Sequence, residues 1–154
     1  MNIRIIQLGK DKDAWLSEAI REYTKRLGPF CKLEILQIPD VSIKTAGTPE
    51  KVIAKESKLI EARLDIDDYV ILLNEKGEEK TSLEFSRFLT NIYESKRIVF
   101  VIGGVYGTGE DLTQRANTCL SLSRLTFTHR MARLILIEQI YRAMMIAGGR
   151  SYHI

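Results

Sequence analysis

The chain is poor in the residues that usually announce a site. Cysteine occurs only at Cys31 and Cys119, with no C-x-x-C spacing, which excludes a disulfide framework and argues against a zinc site. Both thiols read as packing residues. The only histidines are His129 and His153, and neither belongs to a carboxylate cluster with metal spacing, so no metal is expected. No apolar run approaches the roughly 18 residues of a membrane span. The opening Met1–Leu8 alternates too soon and is too short for a signal peptide, so a cytoplasmic location is expected. The glycine-rich stretch Gly103–Gly109 lacks the Gly-Lys-Ser/Thr ending of a phosphate loop, and it follows a late strand, unlike a dinucleotide fingerprint. A Gly-x-Ser-x-Gly elbow is missing too. Repeats and low-complexity linkers are absent.

What is present is ordinary in bulk: 154 residues, 45% apolar and 28% charged, enough for one domain over 1–154 with a real core. The net charge of +3 becomes informative when divided. From Leu120 onward there are five arginines (Arg124, Arg130, Arg133, Arg142, Arg150) against one acid, Glu138, so the preceding residues sum to −1. Arginine's planar fork of donors suits phosphate, which points to a phosphate-bearing partner near that segment.

Strand and helix patterns alternate along the chain. Asn2 to Leu8 and Leu33 to Ile38 read as strands, separated by a helix from Asp13, its N-cap, to about Arg26. Val41 to Thr48 reads as a surface loop. Thr48-Pro49-Glu50 opens a helix whose lysines and glutamates predict a solvated side. Tyr69 to Leu73 is a third strand, expected to end in a turn at Asn74–Gly77. Thr81 and Glu84 have capping-box spacing ahead of another helix. Ile98 to Ile102 is a fourth strand, followed by a short helix over about 109–117 and a fifth strand over 118–122. This alternation predicts a parallel α/β sheet. The final helix, Arg130 to Ala147, carries apolar residues all round its axis. Such a helix must be covered all round, and a second copy of the chain is the natural cover, so a homodimer is expected.

The fourth strand, apolar throughout, suits burial on both faces, and it stops abruptly at Gly103-Gly104. Two adjacent glycines let a backbone or ligand come close, and ligands of open α/β sheets sit outside the carboxyl ends of the strands. The pair is therefore either a tight turn or part of a binding site.

One combination goes further. Leu73-Asn74-Glu75 follows one strand and Ile102-Gly103-Gly104 another, and Leu120-Ser-Leu-Ser-Arg-Leu-Thr-Phe-Thr-His129 leads into the last helix. With Glu22-Tyr-x-Lys-Arg-Leu27, Tyr141-Arg142-Ala143 and the ending Tyr152-His153, these resemble the large-subunit pseudouridine methyltransferase H (RlmH) family of the SPOUT superfamily, over essentially the whole chain. The resemblance implies a SPOUT α/β fold with a mainly parallel sheet, flanking helices and a C-terminal trefoil knot. It also implies a homodimer that binds S-adenosylmethionine in the knot. The methyl-donor positions of the family fall on Leu73, on Gly103 (with Gly104 beside it) and on the run Leu122, Ser123, Arg124, Leu125, Thr126 and Phe127.

The reaction so implied is methylation of N3 of a pseudouridine in 23S rRNA, on assembled ribosomes. An imide N3–H is a poor nucleophile until its proton leaves, so the site must stabilise an anion or supply a base. Arg142 is a candidate for the first, Tyr152 and His153 for holding the base, and His129 for proton transfer. His129 reads equally as a structural, helix-capping residue. Glu138 and Arg142, spaced i,i+4, read as a pair. Two positions depart from the family pattern: the ending is Ser151-Tyr-His-Ile154 in place of Pro-Tyr-His with a terminal cation, and Thr128 replaces a common proline. The competing reading is a non-catalytic ribosome-binding factor. It leaves the Gly103-Gly104 and Leu122–Phe127 segments without a purpose.

Overall fold

The computed structural model describes residues 1–10, 12–92 and 94–152, so His153 lies outside the described residues. In chain order the elements are β1 (Asn2–Leu8), α1 (Ala14–Leu27), β2 (Lys32–Ile38), α2 (Ile43–Ala46), α3 (Pro49–Glu61), β3 (Asp68–Glu79), α4 (Ser82–Asn91), β4 (Arg97–Ile102), α5 (Glu110–Arg115), β5 (Thr118–Ser121) and α6 (His129–Ala147). The five strands form one sheet in the order β2-β1-β4-β3-β5, and every pairing is parallel. The α/β expectation is met. Among the described residues no helix is long and apolar enough to cross a membrane.

Side chains alternate across the sheet and so build two cores. On one face Ile3, Ile5, Ile71, Ile98 and Phe100 pack with Leu16 and Ile20 of α1, Phe85 and Leu89 of α4, and Leu136, Ile137 and Ile140 of α6. On the other, Ile6, Val70, Leu72, Val99 and Val101 meet Ile60 of α3 and Leu112 of α5. Strands covered on both faces must read as continuous apolar runs, as β3 and β4 do.

Several boundaries follow from local chemistry. The Thr81–Glu84 capping box forms in full. Thr48 accepts from Lys51 N at 3.3 Å to cap α3. Thr128 caps α6 in the same way, accepting from Met131 N at 3.3 Å, which gives the missing proline a structural account. Asp13 has a capping backbone but makes no side-chain cap bond; its carboxylate instead takes Arg130 Nη1 at 2.6 Å. The loop expected over 41–48 contains the single turn of α2, capped by Ser42.

The larger correction concerns β3. The turn at Asn74–Gly77 does not end the strand. Pairing with β5 stops at Leu73 and resumes at Glu78, and both residues lie opposite Leu120. The four residues between them are pushed out as a bulge, steadied by Asn74 Oδ1 accepting from Lys76 N at 2.9 Å. Gly77 is required here: a Cβ would lie 2.7 Å from main-chain carbons of both Cys119 and Leu120.

At the opposite end of the sheet Asp68 anchors Arg97. Asp68 accepts Arg97 Nε at 2.9 Å and Arg97 Nη2 at 2.7 Å, and also takes Asp65 N at 2.7 Å. Burial alone would raise the carboxyl's pKa, but Arg97 and the Asp65 N–H outweigh it and hold it below the ordinary value. A depressed folded pKa contributes stability that is complete above the unfolded value and is lost as pH falls through the folded one. Asp68→Asn is expected to cost about 2 kcal/mol at neutral pH, because it removes the charge-assisted bonds to Arg97 and leaves that guanidinium with Asp65, 3.0 Å from Nη2. In urea titrations the gap between wild type and variant should shrink below about pH 4. A gap that stays constant into acid would assign the loss to packing instead.

Candidate functional site

A cleft of about 630 Å³ opens at the bulge of β3 and outside the carboxyl ends of β4 and β5. Each wall comes from a break in regular structure. The β3 bulge delivers Leu73, Asn74 and Glu75; the end of β4 delivers Gly103 and Gly104; the segment after β5 delivers Leu122, Ser123, Leu125, Thr126 and Phe127. His129, at the start of α6, completes the rim. These positions, drawn from three distant stretches of sequence, are brought together.

The walls are tied by a few hydrogen bonds. Thr126 Oγ1 bonds Glu75 Oε2 at 3.2 Å, fixing the third wall to the first. Ser123 turns its own segment: its Oγ accepts from Leu125 N at 3.0 Å, and its carbonyl takes Ser121 Oγ at 3.0 Å. The glycine loop folds back as a turn, Gly107 N donating to Gly104 O at 3.0 Å, with Gly107 in the left-handed region at φ 91°. Farther on, Gly109 N donates to Ser57 Oγ of α3 at 3.0 Å. A Cβ on Gly103 would stand 2.7 Å from Thr108 Cγ2, and Thr108 itself lines the cleft. Val105, Tyr106, Leu125 and Phe127 are exposed apolar residues around the mouth. Apolar walls with backbone groups at close range suit a flat heteroaromatic ligand.

Three expected site residues lie elsewhere. Arg124 points away from the cleft, 89% exposed in its side chain, with Nε 3.8 Å from Glu79 Oε1. Arg142 and Tyr152 gather around Glu138. Arg142 Nη2 bonds Glu138 Oε1 at 2.9 Å, the guanidinium lies 4.8 Å from the Tyr152 ring centroid, and Tyr152 Oη donates to Glu138 Oε1 at 3.3 Å. The expected i,i+4 pair is therefore formed. Burial first, then Tyr23 and Glu138, pushes the Tyr152 phenol up to about 12, so at neutral pH it is a hydrogen-bond donor. Along α6, Arg142 lies ten residues beyond Ala132, which also lines the cleft, or roughly 15 Å at the helical rise. His153 lies outside the described residues.

The arginine excess is also thinner than composition implies. Arg133 is 1% exposed, and burial lowers its pKa to about 10. Arg130 and Arg142 are already bonded to carboxylates.

One feature escaped sequence reading. Glu56 of α3 is only 4% exposed, and it lines a second cavity of about 310 Å³ with Asp40, Gly104 and His129. Its Oε1 accepts from Val41 N at 3.0 Å, while its Oε2 is buried with no hydrogen-bond partner among the described residues. Burial raises its pKa, against the opposing pull of that N–H. The signal was available: Val52, Glu56 and Ile60 recur every fourth residue, which puts an acid on the buried stripe of α3.

The family described as "Predicted SPOUT methyltransferase" matches residues 1–153. The chain belongs to the SPOUT methyltransferase family. Curated relatives of this SPOUT protein carry the name ribosomal RNA large subunit methyltransferase H. The one from Parabacteroides distasonis is 43% identical over 156 residues, and the one from Ligilactobacillus salivarius 42% over 158, each covering 99% of both chains. That from Carboxydothermus hydrogenoformans is 39% identical over 158 residues, with the same coverage. The SPOUT family assignment agrees with the all-parallel sheet and gives the cleft at its carboxyl edge a chemical context, methyl transfer.

Proposed function

We propose that this SPOUT protein, acting as a single domain over residues 1–154, transfers a methyl group from S-adenosylmethionine to N3 of a pseudouridine in 23S rRNA of the assembled ribosome. The observation that carries the proposal is the cleft itself. The β3 bulge and the ends of β4 and β5 meet there, β4 contributing a glycine that admits close backbone approach and the other two contributing Leu73 and Leu122 as apolar walls. These residues fit the adenosine part of the donor: Leu73 and Leu122 cover the base, main-chain groups of the 122–127 segment read its edge, and Gly103 lets the chain come near. When bound, the donor supplies an electrophilic methyl on a sulfonium, and N3 gives up its proton as it takes that methyl.

The remaining roles belong to the chain's own side chains. Arg142 favours the anionic imide, and Tyr152 and His153 hold the base, the Tyr152 hydroxyl exchanging Glu138 for it; His129, beside the cleft, accepts the proton. A separation of roughly 15 Å between the cleft and Arg142 within one chain favours a homodimer in which each tail serves the partner's cleft. The half-buried Met131, Ile135 and Ile146 of α6 supply the apolar surface for that pairing. We assign the trefoil knot of the superfamily to the segment that contributes the 122–127 wall.

The test is to incubate the protein with labelled S-adenosylmethionine and separated ribosomal particles, then map the labelled nucleotide. Label on N3 of one pseudouridine of the large subunit is the expected result. Ribosome binding without label, and without donor binding by calorimetry, would leave a binding factor in place of an enzyme.

A further inference from the structure

Pseudouridine differs from uridine by one hydrogen-bond donor, N1–H, which the ordinary nucleoside uses for its glycosidic bond. A pocket that selects it needs one spare acceptor, buried so that an unmatched base pays a desolvation cost. A site built around such a bond rejects the analogue lacking it by far more than shape alone achieves.

Among the described residues, Glu56 Oε2 meets that specification. It is buried and without a hydrogen-bond partner, although the same carboxyl's Oε1 is engaged by Val41 N at 3.0 Å. The cavity that Glu56 lines, about 310 Å³, is at the lower end for small-ligand pockets and suits a single ring with part of its sugar. It lies outside the carboxyl ends of β1, β2 and β4, where β1 is flanked by β2 on one side and β4 on the other, the kind of place where open α/β sheets bind ligands. It shares Gly104, Val105, Tyr106 and His129 with the donor cleft, so the two spaces are separated only by the glycine turn and the first residue of α6. Glu56 Oε2 faces the place that a Cβ of Gly104 would occupy, so any side chain there would have to displace the carboxyl.

We infer that this second cavity receives the target base and that Glu56 Oε2 accepts its N1–H, making Glu56 the residue that distinguishes pseudouridine from uridine. The occupant depends on the pseudouridine substrate proposed above. As the base enters, the turn at Gly104 yields and the ligand N–H takes its place beside the oxygen. N3 is separated from N1 by one ring carbon, so anchoring N1–H leaves N3 directed toward the shared wall and the methyl donor. Asp40, Ser42 and His129 supply polar groups to the rest of the rim.

Glu56→Gln is the discriminating variant. It keeps the volume but has one oxygen in place of two, and Val41 N–H already claims one. Ribosomes assembled from large subunits reconstituted with pseudouridine, uridine or N1-methylpseudouridine at the target position serve as substrates. Wild type is expected to prefer pseudouridine over either analogue by roughly 10⁴-fold in kcat/KM. Glu56→Gln is expected to shrink that preference at least about 10-fold, the worth of one hydrogen bond at the kinetic level, while calorimetry shows donor affinity unchanged. Equal use of all three substrates by wild type would overturn the pocket without any variant being needed. So would an unaltered preference in Glu56→Gln, or a loss of donor binding in step with methylation, which would make Glu56 a support for the glycine turn alone. Absence of methyl transfer to pseudouridine itself would instead sink the function proposed above, and this pocket with it.

Discussion

Gly103→Val is expected to abolish donor binding while leaving the sheet folded. Gly103 is the first residue beyond β4, outside the paired registers, so its replacement removes no ladder bond. A Cβ there would press on Thr108 Cγ2 from 2.7 Å, and Thr108 lines the cleft. The two further methyls of valine occupy the space a planar ring would take against the main chain. Overpacking of this kind costs about 3 kcal/mol, equivalent to roughly 150-fold in affinity. Isothermal calorimetry with S-adenosylmethionine reads the effect directly, and a urea melt superimposable on that of wild type would exclude general unfolding. Unchanged affinity would mean that the donor does not approach the chain at Gly103.

Truncation after Arg150 is expected to act in the opposite sense, sparing the donor and removing turnover. The tail leaves α6 through Arg150 N, which donates to Met145 O at 2.9 Å, and that bond remains. What disappears is Tyr152, whose ring packs edge-on against Tyr141 at 4.9 Å and under Arg142, together with His153. None of the contacts described for Tyr152 involves the cleft. Donor affinity should therefore stay within about twofold, whereas methylation of ribosomes should fall by 100-fold or more, the range set by losing a positioned proton-transfer or hydrogen-bonding group. Mixing the truncated chain with a Gly103→Val chain would then restore activity, because each mixed dimer has one intact cleft facing one intact tail. Full activity of the truncated protein on its own would make the tail dispensable.

Much of the architecture was legible because its determinants are local. The Thr81–Glu84 box, the Thr48-Pro49 start and the apolar runs of β3 and β4 each need only a few neighbouring residues to declare themselves, and all formed as read. Misreadings arose where a long-range partner decides. Asn74–Gly77 carries turn chemistry and does turn, but β5 recaptures the chain at Glu78, which no local pattern announces. Asp13 takes the N-cap position as read, but Arg130, distant in sequence, claims the carboxylate that would have capped the helix. Arg133 was counted as part of a basic surface, and the packing of α6 puts it inside. In the site, Leu73, Gly103 and the 122–127 segment were legible through resemblance, and most of them converge on one cleft. Arg124 was included as part of a continuous run, and its side chain faces solvent. Glu56 was overlooked because α3 is rich in exposed charge, which hid one acid on the wrong face.

The recapture of β3 by β5 has a mechanical consequence. One jaw of the cleft is spliced into the sheet on both sides of its excursion, whereas the glycine jaw is held by a turn bond within it and, at its far end, by Gly109 bonding Ser57 of α3 and Thr113 of α5. Closing such a vice moves only the lighter jaw, so the ordering that accompanies ligand capture should be confined to residues 103–109 and slow amide exchange there, leaving the bulge as stiff empty as it is full.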